Sequence, residues 1–153
     1  MPILFYSQNI KFSLKNKSVL KSWINAVIAN ENKSPGEINY IFCNDLFLRV
    51  LNKKFLKHDT YTDILTFDYS GEVLQKNKIT ADIYISISRV KENAKKLNYS
   101  FESELNRVMI HGILHLCGYN DKTKSEKEIM RKKEEEYLSR LFRKFFKILH
   151  SNK

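Results

Sequence analysis

Two histidines, His111 and His115, stand four residues apart in an apolar run, and Asp121 follows beyond Gly118. Four residues make slightly more than one helical turn, so both imidazoles leave the same face of a helix. Gly118 lets the chain leave that helix through a positive φ, and the reversal brings Asp121 back over the histidine face. Histidine, histidine and aspartate are ordinary ligands for a zinc-like cation, and a three-ligand site keeps one coordination position open for water. The spacing points to one Zn2+, or another divalent transition metal, held by His111, His115 and Asp121, and to hydrolysis there.

Metzincin proteases share this spacing but need a glutamate directly after the first histidine as general base. Here that position is Gly112. It moves no proton, so peptidase chemistry is rejected. A glycine inside a helix costs about 1 kcal/mol against alanine, so its presence implies a close neighbour.

These groups need a scaffold. Ser100 is placed to cap the metal helix, with Glu102 and Glu104 in its first turn near the positive end of the dipole. Leu105, Val108, Met109, Ile113, Leu114 and Leu116 make the helix apolar nearly all round, so it is expected to be buried. Upstream, residues 3–12 read as a strand and 15–29 as a helix anchored by Trp23, followed by a turn at Ser34-Pro35-Gly36. Residues 37–43 read as a strand, and a helix capped at Asn44-Asp45 carries Leu46, Leu48, Val50, Leu51 and Phe55 as its apolar face. Residues 64–69 and 79–88 read as strands, and 90–97 as a lysine-rich helix. A long charged helix over about 125–150 closes the chain, with Ile129, Met130, Tyr137, Leu141, Phe145 and Ile148 as its stripe, widened by Leu138, Phe142 and Leu149. No linker divides residues 1–153, so the expectation is a single α+β or α/β domain: one small mixed sheet, about five helices, and a metal site at the C-terminal end of a buried helix.

The chain carries 27 Lys and Arg against 17 Asp and Glu, a net charge of +10. Such an excess attracts polyanions, of which RNA and DNA are the commonest inside cells, although a lysine-rich composition alone gives the same total. Lys53, Lys54, Lys57 and His58 gather near the end of the second helix, and Arg131, Lys132, Lys133, Arg140, Arg143, Lys144 and Lys147 on the last. Glu134, Glu135 and Glu136 interrupt the latter set, which favours reading it as an ordinary charged face. No apolar run reaches the roughly 20 residues of a membrane span. The start lacks a basic n-region and a long apolar segment, so a cytoplasmic location is expected, with Cys43 and Cys117 as reduced, buried thiols.

The stretch from His111 to Asp121 resembles the YbeY family signature HGxLHLxGYDH. Residues 51–67 are similar to that family's LNxxYRxKDxPTDVLSF block, and residues 81–86 to its GDIxIS strand. The resemblance implies an α/β fold and a metal-dependent endoribonuclease that matures ribosomal RNA at the 16S 3′ end and serves ribosome quality control. Its implied partners are ribosomal RNA precursors and the small ribosomal subunit, with no membrane or DNA. Carried over residue by residue, the ligands are His111, His115 and Asp121, the last replacing the family's third histidine. A carboxylate partly neutralises the cation, which implies a pH optimum for cleavage shifted upward. The family's arginine falls on Leu56. Lys57, Lys54 or His58 would then have to meet substrate phosphate, as point charges without a guanidinium fork. Asp63 is a candidate base or hydrogen-bonding partner near the metal, or the cap of a turn. The missing arginine keeps a second reading open, a ribosome-assembly factor that binds RNA around a structural metal.

Overall fold

The computed structural model describes residues 3–56, 62–72 and 77–151. Four strands form one sheet in the order β1-β2-β4-β3, with β1 (Ile3–Ser7), β2 (Ser34–Cys43), β3 (Ile64–Asp68) and β4 (Lys78–Ser86). β1 runs parallel to β2 and β2 to β4, while β3 pairs antiparallel with β4 at one edge. The expected mixed sheet is therefore present. Helix α1 (Lys17–Asn30) supplies the crossover that parallel neighbours β1 and β2 require.

Alternation decides which face each strand residue covers. Ile38, Tyr40 and Phe42 of β2, with Ile83 and Ile85 of β4, are almost fully buried and belong to the main core. Against them pack α1 and α4 (Phe101–Leu116), with α5 (Lys124–Ser151) lying against α1 and α4 in turn. Cys43, Leu48 and Leu65 form a smaller core on the other face, under α2 (Asp45–Leu56), with Phe67 and Tyr84 packed against it. α3 (Ile87–Leu97) starts at Ser86, whose hydroxyl accepts the Arg89 amide as an N-cap.

Trp23 is the expected anchor: it is 2% exposed, and its indole donates to the Tyr137 carbonyl at 2.8 Å, joining α1 to α5. Asn44 caps α2 and Ser100 caps α4, as their positions predict. Four expectations need correction. β1 stops at Ser7, not at residue 12. Ser34-Pro35-Gly36 is no free turn but the start of β2, whose register shifts between Pro35 and Ile38, the kind of irregularity that accommodates proline in a strand. The apolar face of α2 is narrower than proposed, because Leu46, Val50 and Phe55 are more than half exposed. Likewise Ile129, Phe142, Ile148 and Leu149 of α5 face outward, and Glu134 occupies a place among the buried residues instead. Among the described residues, no helix is long and apolar enough to cross a membrane.

Candidate metal centre

The helix that carries the histidines can approach the sheet closely because of Gly112. A Cβ built there would lie 2.9 Å from Cδ1 of Ile64 and 3.4 Å from methyl groups of Ile83 and Thr66. Gly112 thus sits directly on β3 and β4, the close neighbour that its sequence position implies. The helix ends at Leu116, and Gly118 turns the chain at φ 106° with open space around its α-carbon. Here glycine serves conformation rather than packing. Thr123 and Glu126 then open α5 with a capping box: the Thr123 hydroxyl accepts the Glu126 amide at 3.1 Å, and the Glu126 carboxylate accepts the Thr123 amide at 2.9 Å. The short connection between the two helices is pinned at both ends.

That connection delivers Asp121 to the histidines. Its Oδ2 lies 3.2 Å from Nε2 of His111 and 3.2 Å from Nε2 of His115. One donor atom from each residue falls within 4.8 Å of the others, and the two rings stand edge to face with centroids 4.6 Å apart. Bonds of about 2.0 Å to a tetrahedral cation place ligand atoms about 3.3 Å apart. The separations to Asp121 match that edge, and two imidazoles with a carboxylate are a fitting donor set. The cluster could hold a metal ion. It also sits at the C-terminal end of α4, where the helix dipole favours positive charge.

The support behind His111 is ionic and was not legible as such. Nδ1 of His111 meets Oε2 of Glu134 at 2.6 Å. Arg107 reaches the other Glu134 oxygen at 3.2 Å and grips Glu104 through two bonds of 2.8 and 2.5 Å. Glu104 is fully buried and Glu134 is 4% exposed. Burial alone would push the His111 pKa down, but the Glu134 hydrogen bond and charge, with Asp121, hold it above the usual histidine value. A carboxylate on Nδ1 fixes the tautomer with the proton there, leaving Nε2 free to bind a cation.

A second clasp holds the connection itself. Tyr119 donates to Glu31 at 2.7 Å, Tyr137 donates to the other oxygen of Glu31, and Lys133 lies 3.5 Å from it. Despite burial, these partners keep the Glu31 carboxyl below its usual range. Cys117 lies beside this loop, half-buried, with its thiol pushed up to about 11 chiefly by burial, so it stays a neutral thiol. Cys43 is buried, its thiol likewise raised, to about 12. Both cysteines are free.

On its open side the cluster faces a groove of about 470 Å³ lined by residues 62–66 and Asp68 together with His111, His115 and Asp121. Asp63 therefore stands in the same groove as the cluster. Its side chain has its pKa raised, chiefly by burial, against the opposing pull of Arg107 and His111. Its carbonyl also accepts the Ser86 amide at 2.9 Å, so the backbone ties this end of the groove to β4. Lys54 is exposed on α2, its ammonium 5.4 Å from the Phe55 ring centroid, and does not line the groove. Lys57 and His58 lie outside the described residues.

A small mixed sheet that buries a helix carrying two histidines, with a carboxylate returned over them, defines a single-domain protein of the metal-hydrolase type. Comparison with known proteins makes this specific: the endoribonuclease YbeY family matches residues 3–142, and the chain belongs to that family. Proteins called endoribonuclease YbeY from Flavobacterium johnsoniae and Cytophaga hutchinsonii are each 48% identical to it, over 88% and 94% of this chain and 94% and 96% of theirs. The one from Christiangramia forsetii is 49% identical over 90% of this chain and 92% of its own. Among solved structures, the solution structure of TM1509 from Thermotoga maritima superposes with a TM-score of 0.63 at 27% identity, covering 94% of this chain and 91% of that one.

Proposed function

We propose that the protein is a metal-dependent endoribonuclease that hydrolyses RNA phosphodiester bonds, acting in the cytoplasm on ribosomal RNA precursors of the small subunit. The observation that carries this reading is the convergence of His111, His115 and Asp121 on one point at the mouth of a groove. The names borne by relatives at nearly half identity support RNA as the substrate; the 16S 3′ end and ribosome quality control are the setting that the sequence resemblance implies.

Zn2+ or a similar divalent ion, when bound, supplies Lewis acidity toward a phosphoryl oxygen and acidifies water. The rest of the work falls to the chain's own groups. Glu134 holds His111 with Nε2 outward, and Asp121 adds negative charge that tightens the grip on a cation. Asp63 takes or gives a proton in the groove, and its raised pKa brings that exchange closer to neutral pH than for an ordinary carboxylate. Lys57 and His58 are assigned to substrate phosphate in the place of the arginine that the family motif has at Leu56, and Lys54, outside the groove, to backbone phosphate beyond it.

Metal analysis beside cleavage of a structured ribosomal RNA fragment tests the proposal. The parent protein is expected to carry about one ion per chain and to cut. Chelator, His115→Ala and Asp121→Ala are each expected to remove both properties. RNA binding with no metal-dependent cutting would make the protein an assembly factor instead.

A further inference from the structure

α5 is two helices in charge, though one in backbone. From Lys124 to Glu136 it carries five cations and five carboxylates; from Tyr137 to Ser151 it carries Arg140, Arg143, Lys144 and Lys147 and no carboxylate. These four stand at positions i, i+3, i+4 and i+7, so they form one stripe. All four line a groove of about 360 Å³ between α5 and α1, whose floor includes Trp23 and Tyr137. Arg140 is paired with Glu136 at 2.9 Å and lies over the Tyr137 ring. Among the described residues, Arg143, Lys144 and Lys147 have no carboxylate within ion-pair reach. Three neighbouring cations on one face repel one another, and that repulsion is relieved by a polyanion laid along them. The family match ends at residue 142, so all three unpaired cations stand beyond it.

We infer that this stripe is a second binding surface for RNA, one that holds the sugar-phosphate backbone away from the metal centre. Lys144 follows Glu134, the partner of His111, by ten residues, or about 15 Å of helix. A strand cut at the metal could therefore be gripped on α5 at the same time. The geometry speaks against a membrane as the occupant. The two most exposed apolar side chains of this half, Phe142 and Leu149, are two residues from Arg140 and Lys147 respectively, roughly 200° around the helix, and the less exposed Ile148 lies nearer the cations. A bilayer that took up the apolar residues would turn the cations away from its surface, whereas amphipathic membrane helices place both toward it. The inference rests on the proposed RNA substrate, and the test separates the two.

The metal-loaded full chain and the triple variant Arg143→Gln, Lys144→Gln, Lys147→Gln are compared in binding a phosphorothioate RNA, which keeps the backbone charge but resists cutting. Each lost phosphate contact on a single strand lowers the slope of log affinity against log salt by about 0.7, so the triple variant is expected to lose about 2. Arg143→Lys should keep the parent slope, and the triple variant should keep its melting temperature, its metal and its rate on a short oligonucleotide. An unchanged slope overturns the inference, as does a parent that binds no RNA. Stripe-dependent binding of anionic vesicles with no change toward RNA overturns it as well. Stripe-dependent RNA binding by a parent that never cuts would leave the surface standing and sink the nuclease reading instead.

Discussion

The two flanks of the metal helix are built on opposite principles. Toward α5, His111 backs onto Glu134, Arg107 and Glu104, a chain of short ionic bonds whose carboxylates are buried and whose guanidinium is partly exposed in a second groove. Toward β3, the same helix faces a groove of about 470 Å³ that Asp63 helps to line. One flank holds a ligand still; the other leaves room for a substrate and a proton. Under the proposed function, the first flank would set affinity for the ion and the second the rate.

The largest expected effect lies on the open flank. Asp63→Asn removes a proton carrier without changing size and should slow RNA cleavage by about 10²- to 10⁴-fold. Zinc affinity, measured by competition with a chromogenic chelator, should stay at the parent value. A parallel loss of zinc would erase the distinction between the flanks.

On the closed flank, Glu134→Gln keeps the shape of the carboxylate and removes its charge. Outer partners of metal-bound histidines are worth about 10- to 100-fold in affinity, so zinc binding should weaken by that factor. Charge-neutral replacement also leaves Arg107 with one carboxylate partner fewer, and a fall in melting temperature of the metal-free protein should accompany the loss.

The smallest effect concerns pH in the chelated protein. His111 has its folded pKa raised by Glu134 and Asp121. A raised histidine contributes stability that is fully present below its unfolded pKa, about 6.5, and is lost as pH rises through the folded value. Thermal melts of the chelated protein should therefore show a decline in melting temperature as pH rises from about 6 to 8. Glu134→Gln should flatten that decline, and a parent curve that climbs over this range would contradict the assignment.

The open flank was readable from sequence because its signals are local. His111, Gly112, His115, Gly118 and Asp121 lie within eleven residues, and one helical turn plus the reversal at Gly118 brings the ligands together. Strands and helices declared themselves through period and caps, as Asn44 and Ser100 illustrate. The closed flank depends on a contact across 23 residues, between helices whose docking no local rule fixes. Three consecutive glutamates disguised it as a solvated face. A signal was nonetheless present: Met130, Glu134, Tyr137 and Leu141 follow one another at spacings of four, three and four, so Glu134 is a carboxylate at a core position. A charge in an apolar stripe asks for a buried partner, and Glu104 and Arg107 on the face of His111 ask the same.

The short, doubly pinned connection from Gly118 to Thr123 also bears on how the molecule assembles. All three ligands come from one local hairpin of helices, so the chain entropy needed to gather them is small. Their support is completed by Glu134 of α5, bonded to His111. Ion capture and helix docking therefore favour each other, and by linkage whatever loads the centre also tightens α5 against the body. Amide exchange along the first half of α5 thus becomes a gauge of occupancy, with the ion acting as the last fastener of the fold.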